Sequence, residues 1–322
     1  MEKNYYIGVD GGGSKLVSVL FDQDLNLISV GRGGSINLNF ASMEEVKSNM
    51  LKSIKECLPT NFQGPVEAAY VTMPGPGDVY IKLLSDFCTV NSYKRLGEGL
   101  ICLLAGIQKE KGLVILSGTG SGIFNHTDLE NVTHLGGWGA LVGDEGSGYD
   151  IGNKGIRAAI YSYDTRGPKT ILEDMVKEFF NAKDFLEVRS VLYRFPVYRA
   201  VIARLCPVVV DAADEGDEVA IKILKDAGVD LAGQLDAVIR RDCVNGNDTD
   251  AVVAGSVWKG NPYMYEAFRN RINSLYPGLN IYKPLFEPVI GSVVYCRLKL
   301  QKAIDKNMLN HMKNQYRDFL YK

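Results

Sequence analysis

The chain has 322 residues, 46% of them hydrophobic and 23% charged, with a formal net charge of −2 at pH 7. That length suggests two domains or one large one, and the apolar fraction is enough to fill two sizeable cores. Near-neutral charge argues against nucleic acid or an anionic membrane surface as a partner, and no apolar run is long enough to span a bilayer.

The start, MEKNYYIGVDGGG, enters a strand directly, without the basic and apolar regions of a signal peptide. The six cysteines form no C-x-x-C pair and read as buried free thiols of a reducing compartment, so a cytoplasmic protein is expected. The three histidines, His126, His134 and His311, are unclustered. His134 precedes a Gly-Gly-Trp-Gly segment, and a structural role is favoured for it over ligand contact.

Residues 5–10 read as a buried strand, followed by a turn at Gly11, Gly12 and Gly13. Lys15 to Phe21 and Leu25 to Val30 complete a three-strand meander. Ser42 with Glu45 has capping-box spacing, and Val46, Met50, Ile54 and Leu58 mark an amphipathic helix. Val66 to Met73 is a strand closed by Pro74-Gly75-Pro76-Gly77, and Gly99 to Gln108 an apolar helix. Gly112 to Leu116 is a strand running into a second glycine–hydroxyl turn, so two similar domains are expected, over residues 1–115 and 116–322. Residues 170–240 have helical periodicity, Asp250 to Ala254 is a short strand, and the tail from about residue 297 reads as a terminal helix.

Four motifs carry chemistry. In the first, Asp10-Gly11-Gly12-Gly13-Ser14-Lys15, glycines let backbone N–H groups approach phosphate, Ser14 and Lys15 add a hydroxyl and a charge, and Asp10 can hold magnesium. It fits neither a Walker loop nor a dinucleotide fingerprint, since no G-x-x-x-x-G-K-[ST] occurs and a strand follows. Read alone it is equally a polar glycine hairpin. The second, Ser117-Gly118-Thr119-Gly120-Ser121-Gly122, offers another phosphate cradle after an apolar strand. The third runs from Gly136 to Gly148, with six glycines around Trp138, Asp144 and Glu145. An indole gives a flat wall for a sugar ring, and a carboxylate accepts hydrogen bonds from its hydroxyls. In the fourth, Val252 to Trp258, a strand ends in Gly255-Ser256, where backbone can approach a planar group; alone this is a common strand ending.

In this order the four motifs resemble the N-acetylglucosamine kinase and BadF/BadG/BcrA/BcrD ATPase family of the actin, hexokinase and heat-shock chaperone superfamily, from residue 5 to about 295. The resemblance implies an α/β fold of two actin-like ATPase (ribonuclease H-like) domains facing each other across a nucleotide-binding cleft. It implies an ATP- and Mg2+-dependent kinase acting on an amino sugar such as N-acetylglucosamine, at the 6-hydroxyl, and a homodimer as the assembly. Asp10 would hold the metal, and Gly12, Gly13, Ser14, Lys15, Gly118, Thr119 and Gly120 the phosphates. Gly255 and Ser256 would face adenosine. Asn37, Ser121, Gly122, Gly137, Trp138, Gly139 and Asp144 would line the sugar site, with the Pro74–Gly77 turn at its border.

One departure stands out. Such kinases carry an aspartate at the start of the helix before the second phosphate strand, where it accepts the proton of the attacking hydroxyl; here Glu98 occupies that place. It is the expected general base, its alternative being a helix cap. The rival readings are an ATPase switch coupled to a partner protein, disfavoured by the lack of metal-type cysteines, and a sugar-sensing module, which would need a helix-turn-helix extension that is not visible.

Overall fold

The computed structural model describes residues 3–13, 15–38, 41–194, 198–246, 248–259 and 262–322. The chain forms two compact units, one of residues 1–111, 127–130 and 283–322, the other of residues 112–126 and 131–282. Residues 283–322, grouped with the second domain in the sequence reading, belong to the first unit.

In the first unit the chain lays down β1 (Tyr5–Gly11), β2 (Leu16–Asp22), β3 (Leu27–Gly33), α1 (Met43–Cys57), β4 (Val66–Thr72), α2 (Gly77–Ser85), β5 (Tyr93–Arg95) and α3 (Glu98–Ile107). The sheet order is β3-β2-β1-β4-β5, with β1, β2 and β3 antiparallel and β1, β4 and β5 parallel. The third strand starts later than its composition suggests. Asp22 accepts hydrogen bonds from the backbone of Asp24 and Asn26, holding a turn in which Leu25 takes φ +64°. Ser42 and Glu45 form the expected capping box on α1.

In the second unit come β6 (Gly112–Ser117), β7 (Ser121–His126), β8 (Val132–Leu135), α4 (Gly148–Tyr163), α5 (Leu172–Phe179), α6 (Phe185–Leu192), α7 (Tyr198–Ala203), α8 (Cys206–Asp214), α9 (Glu218–Arg241), β9 (Asp250–Ala254), α10 (Pro262–Leu275) and β10 (Asn280–Tyr282). The sheet order is β10-β9-β6-β7-β8. An antiparallel meander is again extended by two parallel strands, so the second sheet repeats the order and sense of the first. Its core joins β6, β7 and β9 to α4, α8, α9 and α10 through Ile115, Ile123, Ile156, Val209, Leu231, Val253 and Phe268.

The chain then returns to the first unit with α11 (Val289–Lys299) and α12 (Lys306–Gln315). The tail is therefore two helices, and the expected single helix from about residue 297 begins instead at Lys306, where Asp305 caps the N-terminus by accepting from the Met308 amide at 2.8 Å. The period-2 alternation of β1 and β2 sends Ile7, Val9, Leu16 and Leu20 to a core with α1 and α2. Tyr6, Val17, Val19 and Phe21 go to the other face, under α3 and α11. Both faces of this sheet are covered, as for the parallel part of an α/β fold. No helix among the described residues is long and apolar enough to cross a membrane.

Helices α3 and α11 pack closely because Gly291 has no side chain: a Cβ there would lie 2.1 Å from the Ile101 carbonyl oxygen. Backbone cannot yield as a side chain tip does. Gly291→Ala is therefore expected to lower unfolding free energy by about 1–3 kcal/mol, the usual cost of overpacking a core. Chemical denaturation reads this directly, and an unchanged midpoint would mean that the two helices separate freely.

Candidate active site

The sequence-predicted residues fall into two sets, one in each unit. In the first unit, Asp10 lies near the end of β1, paired through the backbone with Val17 of β2 and Thr72 of β4. The turn that follows is closed by the Gly12 amide donating to the Lys15 carbonyl at 2.9 Å. Gly12 leaves open space where a Cβ would be, and the half-buried Gly13 follows it. Ser14 lies outside the described residues. The Ile36 amide donates to the Gly12 carbonyl at 3.2 Å, which brings the Ser35–Asn37 segment against the turn. Asn49 of α1 fixes that segment by donating to the Ser35 carbonyl at 2.8 Å.

The Pro74–Gly77 turn joins the same group. Gly75 approaches Ile36 so closely that a Cβ would sit 2.6 Å from its carbonyl oxygen, and Arg95 donates to the carbonyls of Met73 and Gly75 at 2.8 and 3.3 Å. Glu98 is the first residue of α3, after the N-cap Gly97. Its approach is fixed from β4, where the Leu96 amide donates to the Val71 carbonyl and the Thr72 hydroxyl to the Leu96 carbonyl.

Carboxylates gather here. Lys15 pairs with Glu287 at 3.4 Å, and both line a cavity of about 160 Å³ with Asp10, Arg32 and Asp318. Desolvation pushes the Asp10 carboxyl up to about 7, with Glu98 and Glu287 adding to the rise and Lys15 opposing it. Glu98 is an exposed residue, yet the protein around it desolvates its carboxyl enough to raise it above the usual carboxylate range. Glu287 was missed by the sequence reading: it stands beside Pro288 in a stretch without a motif, and only the fold brings it to Asp10.

No group of three His, Cys, Asp or Glu that could hold a metal is found among the described residues. A magnesium ion does not need one, because it binds through one or two carboxylates, waters and substrate phosphates. The desolvated Asp10, beside further negative charge, fits such an ion.

In the second unit, the Ser117–Gly122 turn joins β6 to β7 and is tied to the start of α4. The Gly148 and Tyr149 amides donate to the carbonyls of Gly118 and Thr119 at 2.8 and 3.3 Å. Ser117 and Ser121 donate their hydroxyls to the carbonyls of Gly146 and Glu145, fastening the turn to the third motif. Gly255, at φ +102°, approaches the same turn: a Cβ would stand 2.1 Å from the Ser117 carbonyl oxygen. Ser256 then opens a short 3-10 turn whose Trp258 indole N–H donates to the Ile115 carbonyl at 3.1 Å. The second and fourth motifs thus meet through backbone contact.

The glycine-rich loop takes positive φ at Gly136, Gly137, Gly139, Asp144 and Gly146. Trp138 is 77% exposed on it. The opposite holds for Asp144, which is 1% exposed and accepts from Arg199 of α7 at 2.7 Å. The sequence reading gave no role to Arg199, which lies in a stretch marked only by helical periodicity. His134 stacks on Phe124 with ring centroids 4.5 Å apart. Its Nε2 would stand 2.6 Å from a Cβ on Gly122 and 3.2 Å from one on Gly137. Partial desolvation and the nearby Arg241 hold His134 below the usual imidazole range.

A model of the BadF/BadG/BcrA/BcrD ATPase family matches residues 7–296. The chain is 32% identical to an N-acetylmuramic acid/N-acetylglucosamine kinase of Clostridium acetobutylicum, over 91% of this chain and 98% of that one. It is 28% identical to an N-acetyl-D-glucosamine kinase of Dictyostelium discoideum, with the same coverage of 91% and 98%. Among solved structures, a Chromobacterium violaceum protein provisionally named an N-acetylglucosamine kinase superposes with a TM-score of 0.68 at 22% identity, over 91% of this chain and 99% of that one. A ROK family glucokinase from Streptomyces griseus gives 0.57 at 13% identity, over 92% and 100%. At such identities these two structures speak to the fold alone.

Proposed function

The chain belongs to the BadF/BadG/BcrA/BcrD ATPase family, and from that membership and the geometry of the two residue sets we propose that it is an ATP-dependent kinase that phosphorylates N-acetylglucosamine or a close relative such as N-acetylmuramic acid at the 6-hydroxyl. The observation that carries this reading is the placement of two carboxyl groups in the first unit, Asp10 near the end of β1 and Glu98 at the start of α3, each raised above the usual carboxylate range by desolvation. A base whose affinity for protons is raised towards neutrality suits removal of a hydroxyl proton.

In this reading Glu98 accepts the proton of the attacking hydroxyl as the γ-phosphoryl group moves to that oxygen and ADP departs. Asp10 would hold a magnesium ion, which offsets phosphate charge when bound. Gly12, Gly13, Ser14 and Lys15 would contact phosphates from the first unit, and Gly118, Thr119 and Gly120 from the second. Gly255 and Ser256 would face adenosine. Asn37, Ser121, Gly122 and the Gly137–Trp138–Gly139 segment would contact the sugar. Asp144 would accept from a sugar hydroxyl while also accepting from Arg199.

A coupled assay of ADP release across a panel of sugars tests the proposal. ADP release should rise with N-acetylglucosamine or N-acetylmuramic acid and vanish without magnesium. Equal release with and without every sugar would replace the kinase reading with that of an ATPase.

A further inference from the structure

The second unit holds a charged group for which the four motifs provide no role. Arg199 extends from α7 to the Ser117–Gly122 turn, and its Nη2 would lie 2.6 Å from a Cβ on Gly120. The guanidinium therefore rests on the backbone of that turn, in space that any other residue at position 120 would fill. Its Nη2 donates to Asp144 Oδ2 at 2.7 Å, and Asp144 Oδ1 also lies against Gly120. The Nε of Arg199 is buried and has no hydrogen-bond partner among the described residues. The side chain as a whole is nevertheless 38% exposed.

These facts fit a positioned anion receptor better than a structural ion pair. A pair formed only for stability would use the guanidinium fully, since an unmet buried donor is costly. Here a fully buried carboxylate orients the group through Nη2, and the Nε donor is left unspent among the described residues. Such a fork matches phosphate or carboxylate oxygens in a way an ammonium does not. The glycine–hydroxyl turn beneath it is the segment assigned above to phosphates.

Resting on the kinase reading, we propose that Arg199 is a catalytic residue that binds the nucleotide's terminal phosphate oxygens, and that Asp144 is the residue that positions it. In the transfer step the bond from ADP oxygen to phosphorus breaks, the bond from the sugar oxygen to phosphorus forms, and the hydroxyl proton goes to Glu98. Arg199 stays protonated throughout and stabilises charge on the phosphoryl oxygens.

The experiment uses the full chain. Calorimetry with a non-hydrolysable ATP analogue and with ADP, both with magnesium, is combined with steady-state kinetics on N-acetylglucosamine and on N-acetylmuramic acid. Arg199→Ala should lower kcat/KM for ATP about 10²–10³-fold, the loss expected for one preorganised donor, and equally with both sugars. It should weaken the analogue more than ADP and leave N-acetylglucosamine binding unchanged. Arg199→Lys keeps charge without the fork, should recover only part of the rate, and serves if the alanine variant does not fold. Asp144→Asn should lower kcat/KM for ATP and the analogue's affinity in the same direction, and, because Asp144 also meets a sugar hydroxyl in the kinase reading, it should weaken N-acetylglucosamine binding as well.

Analogue affinity and kcat/KM within about twofold of wild type, the range of an ordinary surface substitution, would overturn the proposal. So would a loss confined to N-acetylmuramic acid, which would assign the fork to that sugar's carboxylate. If no sugar stimulates ADP release, the kinase reading fails, and the comparison of analogue with ADP still decides whether Arg199 binds the terminal phosphate.

Discussion

Glu98→Gln is expected to lower phosphoryl transfer about 10²–10⁴-fold, the usual share of general base catalysis, with sugar affinity retained. The amide keeps the shape of the side chain and removes its ability to take a proton. The fold should tolerate the change: Glu98 begins α3 after an N-cap, Gly97, that has no side chain, so the helix loses an interaction with its dipole of about 0.3–1 kcal/mol, which relief of the carboxylate's desolvation opposes. Glu98→Asp is the informative companion, since it shortens the reach by one methylene and keeps the chemistry. It should retain much of the activity if the carboxyl group has room to advance. If Glu98 only favours the helix start, Glu98→Gln would shift stability slightly and leave turnover intact.

For Asp10 two effects of opposite sign are expected from one substitution. Asp10→Asn should reduce magnesium-dependent turnover at least ~100-fold, the order for losing a preorganised electrostatic contact. It should also stabilise the metal-free protein at pH 8. The folded-state pKa of Asp10 is raised to about 7 from 3.8. A group so raised favours folding while protonated, and that contribution is lost as pH climbs from about 4 through about 7. Above that window the ionised, desolvated carboxylate costs up to about 4 kcal/mol at 1.36 kcal/mol per pH unit. The wild type without magnesium should therefore lose stability between pH 4 and 7 more steeply than Asp10→Asn, as denaturant midpoints across that range would record. Parallel curves for the two proteins would mean that Asp10 is not held in a desolvated place.

The strands with a buried apolar run were legible in the sequence, and so were the two glycine–hydroxyl turns that repeat between the units. Asp250–Ala254 was placed to the residue. The short edge strands β5, β8 and β10 were not seen, because edges of three or four residues carry polar side chains and no period. Strand β7 was hidden by its own beginning, Ser121-Gly122, which reads as the end of a phosphate turn. Helix α11 escaped because Val289 to Cys296 is buried on every side and so lacks an amphipathic stripe.

In the candidate site, the residues named from the sequence all lie in local motifs, and those brought in by tertiary structure were not named. Glu287, far along the chain, reaches Asp10 through the return of residues 283–322 to the first unit. Arg199 reaches Gly120 from a helix whose sequence says only that it is a helix. Asp144 was singled out from its glycine setting, but its burial and its guanidinium partner depend on contacts that no spacing records.

Product identification by phosphorus NMR tests the central claim most directly. The protein is incubated with ATP, magnesium and N-acetylglucosamine, and the same is done with N-acetylmuramic acid. The account predicts a new phosphomonoester signal coupled to the two protons on carbon 6 of at least one sugar, growing in step with ADP and absent from the Asp10→Asn reaction. ADP accompanied by inorganic phosphate alone, with neither sugar modified, would contradict it.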